Sequence, residues 1–218
     1  MEIKENTIYN CDCLELMREM EKQGIVADWL ITDPPYGIGA DGVKQQKNNK
    51  NPKHNRKGFE KKDWDNSIPC KEYFDLMFKV SKNQVIWGAN YFSDYLPNNY
   101  KGWLIWDKGQ RGLTMSDCEI AFVNSNSPTR IITINRVELL KDNTIHPTQK
   151  PLKLFIDILN RFTKENDLIL DPFMGSFTTA VACHKMNRRY IGAELDKEYF
   201  EKGTERLNKV KSQISIFD

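Results

Sequence analysis

Short continuous apolar runs alternate along the chain with stretches whose apolar positions recur near every 3.6 residues. Short apolar runs at 8–10, 28–32, 85–87, 103–106, 120–123, 131–134, 168–170 and 190–193 predict strands. Helical spacing appears over about 12–22, where Cys13, Leu16, Met17 and Met20 share a face and Asp12 and Glu15 have capping-box spacing. Pro69 suits the start of a second helix, with Phe74, Met77 and Phe78 facing inward. Leu152, Phe155, Ile156, Leu159 and Phe162 mark an amphipathic helix over 151–164. Further helices are expected at about 176–187 and, after an Asp196 cap, at 197–211. Such alternation predicts an α/β fold, an open, doubly wound and mostly parallel sheet with helices on both faces. Strands without clear helices between them are expected to run antiparallel.

Two stretches break the pattern. Residues 37–67 are polar and aperiodic, and across 41–62 eight lysines and arginines face only Asp41 and Glu60. Residues 108–145 separate the middle strands from the 151–164 helix. The length of 218 residues suits one domain, and a net charge of +2 says little about partners, so local clustering matters more. The charged opening, Met1 to Asn6, predicts no secretory leader, and no apolar run is long enough to span a bilayer. Five irregularly spaced cysteines fit a reducing, intracellular compartment. Cys11-x-Cys13 and Cys183-His184 lack paired metal-ligand spacing, so they read as small buried thiols and no metal is expected.

The chemistry gathers at strand ends. Asp33-Pro34-Pro35-Tyr36-Gly37 closes the 28–32 strand, and open α/β sheets bind ligands beyond the carboxyl ends of their strands. Prolines donate no backbone hydrogen bond, but their carbonyls still accept one. A carboxylate, a bare carbonyl and an aromatic ring suit a planar amine, with two acceptors for its hydrogens and a face to stack on. A proline-stiffened turn with a solvated aspartate is the plainer alternative. At the end of the 168–170 strand, Asp171-Pro-Phe173-Met-Gly175-Ser176 sets a glycine turn before a helix, and Glu194 follows 23 residues after Asp171. A glycine turn with an acid about 20 residues on is the layout that holds a nucleoside by its ribose hydroxyls. It is neither a P-loop nor a full G-x-G-x-x-G. A third segment, His146-Pro-Thr148-Gln149-Lys150-Pro151, reads either as a polar helix start or as a set of groups able to hold a zwitterionic amino acid. Trp87 and Asn90 read as structural.

These segments resemble, in order, the motifs of the beta group of N6-adenine and N4-cytosine DNA amino-methyltransferases. Asp33 to Tyr36 is similar to their catalytic motif, Asp171 to Ser176 to their cofactor motif, and His146 to Pro151 to the segment flanking the cofactor. Asn10-Cys11-Asp12-Cys13-Leu14-Glu15 resembles the opening segment whose aspartate contacts the cofactor adenine, and 103–108 resembles a family strand. The resemblance implies a permuted, Rossmann-like methyltransferase fold in a single domain over 1–218. It has a basic insertion at about 38–67 and a minimal target-recognition region at about 109–143. It implies S-adenosylmethionine as cofactor, held by Asp12, His146, Thr148, Gln149, Lys150, Asp171, Phe173, Gly175, Ser176 and Glu194. It also implies methyl transfer to N6 of a flipped-out adenine at Asp33, Pro34, Pro35 and Tyr36, since Asp-Pro-Pro-Tyr favours adenine. N4-cytosine methylation and a catalytically silent DNA-binding module of the same fold are the alternatives. Lys44, Lys53, Arg56 and Lys57 are candidates for DNA phosphates. DNA is the expected partner, in a cytoplasmic, nucleoid-associated setting. With so small a recognition region, a homodimer or a separate specificity partner is open. The sequence departs from the family at Phe177, where relatives carry a second glycine. Its ring has two places to go, the cofactor or the core, and the core is favoured because Gly175 already supplies the tight turn.

Overall fold

The computed structural model describes residues 1–42, 58–113, 115–124, 128–135, 138 and 144–214. Among these, eight strands form one sheet: β1 (Thr7–Tyr9), β2 (Ala27–Thr32), β3 (Ser81–Trp87), β4 (Gly102–Asp107), β5 (Cys118–Val123), β6 (Arg130–Thr133), β7 (Leu168–Asp171) and β8 (Arg189–Ala193). Five helices accompany them: α1 (Cys13–Lys22), α2 (Lys71–Lys79), α3 (Leu152–Phe162), α4 (Thr178–Lys185) and α5 (Lys197–Ile214). The strand order is β1-β8-β7-β2-β3-β5-β4-β6. Only β5 runs against its neighbours, pairing antiparallel with β3 and β4, while β4 and β6 pair parallel. The fold is therefore the doubly wound, mostly parallel α/β sheet that the alternation predicts; of the strands without helices between them only β5 is reversed, and β4 and β6 run parallel. No described helix is long and apolar enough to cross a membrane.

Side chains on a strand alternate between faces. In β2, Leu30 packs beneath α1 and α2, whereas Ile31 packs on the opposite layer with Leu154 and Ile158 of α3. In β3, Val85 and Trp87 join the α3 side and Ile86 the α1–α2 side. Strands buried on both faces read as continuous apolar runs, which is why β2, β7 and β8 are visible in the sequence. The first half of β3 is not, because Ser81-Lys-Asn-Gln84 is polar. Gln84 is buried there by donating to the Ser81 carbonyl at 2.9 Å.

Local signals set the helix ends. Asp12 caps α1 by accepting from Leu14 N–H at 2.8 Å, and Cys13, Leu16, Met17 and Met20 are buried as their spacing predicts. Asp196 accepts from Tyr199 N–H at 3.0 Å at the start of α5. The inward face of α3 differs from expectation. Leu154, Phe155, Ile158 and Leu159 are buried, while Leu152, Ile156 and Phe162 are partly buried. The helix is apolar over so wide an arc that its own pattern leaves the rotation open. Packing against α4 and the sheet fixes it. In α2, Leu76 is buried with Phe74 and Met77, and Phe78 is only partly so.

The chain order reverses between β7 and β2. From that seam β8 and β1 lie on one side, and β3, β5, β4 and β6 on the other. At such a switch point the two strand ends diverge and leave a crevice beyond their carboxyl ends. Asp33 follows β2 and Asp171 ends β7, so both aspartates stand at the seam.

Candidate active site

The crevice is one continuous cleft of about 2670 Å³, lined by Asp33 to Tyr36, Asp171, Glu194 and His146 to Lys150, among others. Two halves meet in it. In the first, the β7–α4 turn faces the end of β8. Asp171 is buried and accepts from Thr32 Oγ1 at 2.7 Å, Thr179 Oγ1 at 2.5 Å and Phe173 N–H at 3.1 Å. Burial outweighs these donors and raises its pKa to about 6. Since Thr32 immediately precedes Asp33, Asp171 also ties the two halves together. Glu194 accepts from Gly175 N–H at 2.7 Å and Asp196 N–H at 2.8 Å, and burial raises it to about 7.

The third segment closes this half from above. The His146 ring lies between Trp64 (5.0 Å between centroids) and Tyr199 (4.3 Å), and burial lowers its pKa to about 3, so it is neutral at physiological pH. Its Nδ1 lies 3.1 Å from Thr148 Oγ1. Gln149 accepts Ile145 N–H at 3.0 Å, and its buried Nε2 has no partner among the described residues. Ser176 and Thr178 share a hydroxyl hydrogen bond of 2.9 Å, and Arg206 donates to the Ser176 carbonyl at 2.8 Å. Asp12 and Phe173 both line the cleft, and the Tyr73 ring stacks on Phe173 at 6.2 Å.

Phe177 resolves in favour of the core. It is 1% exposed, and its ring meets Phe200 at 5.8 Å and does not line the cleft. Its φ is 61°, a left-handed backbone for which glycine is the natural choice. The ring is accommodated by Gly203 of α5, where a Cβ would lie 2.5 Å from Phe177 Cδ1.

The second half is a compact ionic cluster. Asp33 is ion-paired with Lys150 and accepts the Tyr36 hydroxyl. Lys150 also reaches Glu119 at 3.0 Å and the Tyr36 hydroxyl at 3.1 Å, and Glu119 pairs with Lys108 at 2.9 Å. Burial works against the Lys150 charge, but the two carboxylates hold its pKa above the usual value. Burial also works against Glu119, yet Lys150 and Lys108 bring it down to about 2. At Asp33 burial and Glu119 prevail over Lys150, so its carboxyl is raised. Tyr36 stacks on Tyr91 at 4.8 Å and meets Phe92 edge-on, with burial and the two carboxylates keeping its phenol protonated. Gly88 permits this: its φ is +74°, and a Cβ there would fall 2.2 Å from the Tyr36 ring.

Several of these groups escaped sequence reasoning. Glu119, Lys108 and Tyr91 lie on or beside strands whose pairing is long-range, so no local spacing marks them. Asp65 accepts Gly37 N–H at 2.8 Å and Ala40 N–H at 2.7 Å, fixing the loop after Tyr36 from nearly thirty residues away. Trp87 is fully buried, and exposed Asn90 lines the cleft. Of the basic insertion, Lys62 is engaged with Asp196 at 2.9 Å and with Glu198, anchoring its end to α5. Lys44, Lys53, Arg56 and Lys57 lie outside the described residues.

A family model for N6/N4 methyltransferases, described as DNA methylase, matches residues 86–205. The type II methyltransferase M2.LlaDCHI of Lactococcus lactis subsp. cremoris is 50% identical over 64 residues, 29% of this chain and 24% of that protein. The match thus spans about a quarter of that relative's length. M.HinfI of Haemophilus influenzae is 26% identical over 255 aligned positions, covering 94% of this chain and 69% of its own. The crystal structure of the M1.HpyAVI-SAM complex superimposes with a TM-score of 0.63 at 25% identity, covering 92% of this chain and 98% of that one. With its switch-point cleft and a family match over more than half of its residues, the chain belongs to the N6/N4 DNA methylase family.

Proposed function

We propose that the protein is an S-adenosylmethionine-dependent DNA methyltransferase that methylates the exocyclic N6 amino group of a flipped-out adenine. The observation that carries this reading is the junction at the seam. Through the Thr32–Asp171 hydrogen bond, the acceptor corner at Asp33 and the glycine turn at Gly175 share one cleft.

The residues of the first half fit the cofactor. Glu194 is a half-buried carboxylate suited to hydroxyls, Gln149 Nε2 is a buried donor with no partner among the described residues, and Phe173 offers an apolar face. Asp12, His146, Thr148, Asp171, Gly175 and Ser176 complete the proposed binding set, whereas Lys150, expected with them, has its ammonium in the ionic cluster at Asp33. Bound there, S-adenosylmethionine supplies a methyl group activated by its sulfonium.

The chain's own groups prepare the acceptor. An aromatic amine is a poor nucleophile because its lone pair is delocalised into the ring. Asp33 and the Pro34 carbonyl accept its two hydrogens, Pro35 stiffens the corner, and the Tyr36–Tyr91 pair offers the aromatic surface. As nitrogen gains a methyl group it sheds a proton, which the raised Asp33 carboxyl is suited to hold. Most of the acceleration comes from alignment and charge placement. A base within a duplex must leave the stack to reach this corner. Asp33→Ala is expected to lower methyl incorporation at least about a hundredfold while leaving cofactor affinity near wild type. Retained turnover would remove Asp33 from the chemistry.

A further inference from the structure

The ionic cluster contains more than methyl transfer requires. Asp33 alone could accept an amine hydrogen, yet in the free protein Lys150 already sits against it as a donor. That ammonium occupies the role an incoming amine would play. It is also a stronger competitor, being charged and nine-tenths or more buried. Left with Asp33 as its sole anion, it would neutralise the carboxylate and weaken it as an acceptor.

Glu119 changes this balance. It projects from β5, the one reversed strand, and reaches both Lys150 at 3.0 Å and Lys108 at 2.9 Å. The Tyr36 hydroxyl lies 3.2 Å from Glu119 and 3.1 Å from Lys150. The ammonium therefore has a second anion and a neutral acceptor, and both remain to it when Asp33 is needed elsewhere. Lys108 in turn keeps Glu119 ionised without taking up both of its oxygens, because the two lysines bind different ones.

We propose that Glu119 is a positioning residue that gives the Lys150 ammonium a second anion to stay on, so that the Asp33 carboxylate can exchange this lysine for the hydrogens of the target amine. The inference rests on the methyl-transfer reading for its purpose, and on the ionic geometry alone for its existence. The groups facing Asp33 are Tyr36 from its own loop, Lys150 from the segment before α3, Glu119 from β5 with Lys108 behind it, and Asp171 from β7. Of these, only Glu119 competes for the ammonium from outside the Asp33 loop.

The test uses Glu119→Gln, which keeps the side chain's volume, and the charge-balanced double variant Glu119→Gln/Lys150→Met. In the free full-length protein, the Asp33 carboxyl, followed by carbon NMR, should titrate at lower pH in Glu119→Gln than in wild type. In the double variant it should titrate above the single variant. In methylation assays Glu119→Gln should raise KM for DNA about tenfold and lower kcat; the double variant is read by titration alone, because Lys150 belongs to the cluster itself. An unmoved Asp33 titration, or a double variant whose Asp33 titrates no higher than in the single, would overturn the role of Glu119. The titration needs no turnover, so a wild-type protein that fails to label DNA counts against the methyltransferase reading and not against the ionic arrangement.

Discussion

Two carboxylates in the cleft illustrate how surroundings assign different work to one chemical group. Asp171 is enclosed by two threonine hydroxyls and a backbone N–H, all from the protein. Its main effect is to hold β2 against β7. Glu194 receives only two backbone N–H groups and keeps acceptor capacity facing the cleft. Burial raises Glu194 to about 7, so near neutrality it is partly protonated. Hydroxyl groups bind better to the ionised form, so binding should draw the proton off. Cofactor affinity, measured by calorimetry, is therefore expected to rise from about pH 6 to about pH 8 and level off above. Glu194→Gln should bind more weakly and lose most of that dependence. A wild-type affinity flat across this range would separate Glu194 from the hydroxyls.

At the scale of elements, the β7–α4 turn and α5 are fitted to each other. Phe177 adopts a left-handed backbone that costs a non-glycine residue about 1 kcal/mol, and its ring fills the notch at Gly203. Gly203→Ala should destabilise the fold by about 1–3 kcal/mol through overpacking, read from urea unfolding, and a smaller residue at 177 should relieve much of that loss. Additive effects of the two changes would disprove the fit. The same elements show what can be read from sequence. Strands β2 and β7 announce themselves because their apolar runs, Trp29 to Ile31 and Leu168 to Leu170, lead to an aspartate at the strand end, and α1 shows its inward face because polar residues interrupt it cleanly. The face of α3 and the polar start of β3 depend on neighbours that no local pattern specifies. The site divides likewise. Asp33, Asp171 and Glu194 stand at strand ends, where topology makes position legible. Glu119 and Asp65 work across distances of dozens of residues, and only the folded chain brings them to Lys150 and Gly37.

For the molecule as a whole, net charge of +2 leaves DNA attraction to local clusters. Lys62 is neutralised by Asp196 and Glu198, so it contributes little to phosphates. We propose Lys44, Lys53, Arg56 and Lys57 for that role. Neutralising all four should flatten the dependence of DNA affinity on salt, by about 0.9 in slope for each phosphate that no longer meets a cation. An unchanged slope would take the insertion out of the interface. The central claim concerns the cleft where both halves meet, and it is tested most directly by nucleoside mass analysis. Mixed-sequence DNA would be incubated with the protein and isotopically labelled S-adenosylmethionine, then digested. Label in N6-methyladenine, lost in Asp33→Ala, is the predicted result. Label in N4-methylcytosine would contradict the choice of base, and no labelled nucleoside at all would contradict the assignment of methyl transfer to this cleft.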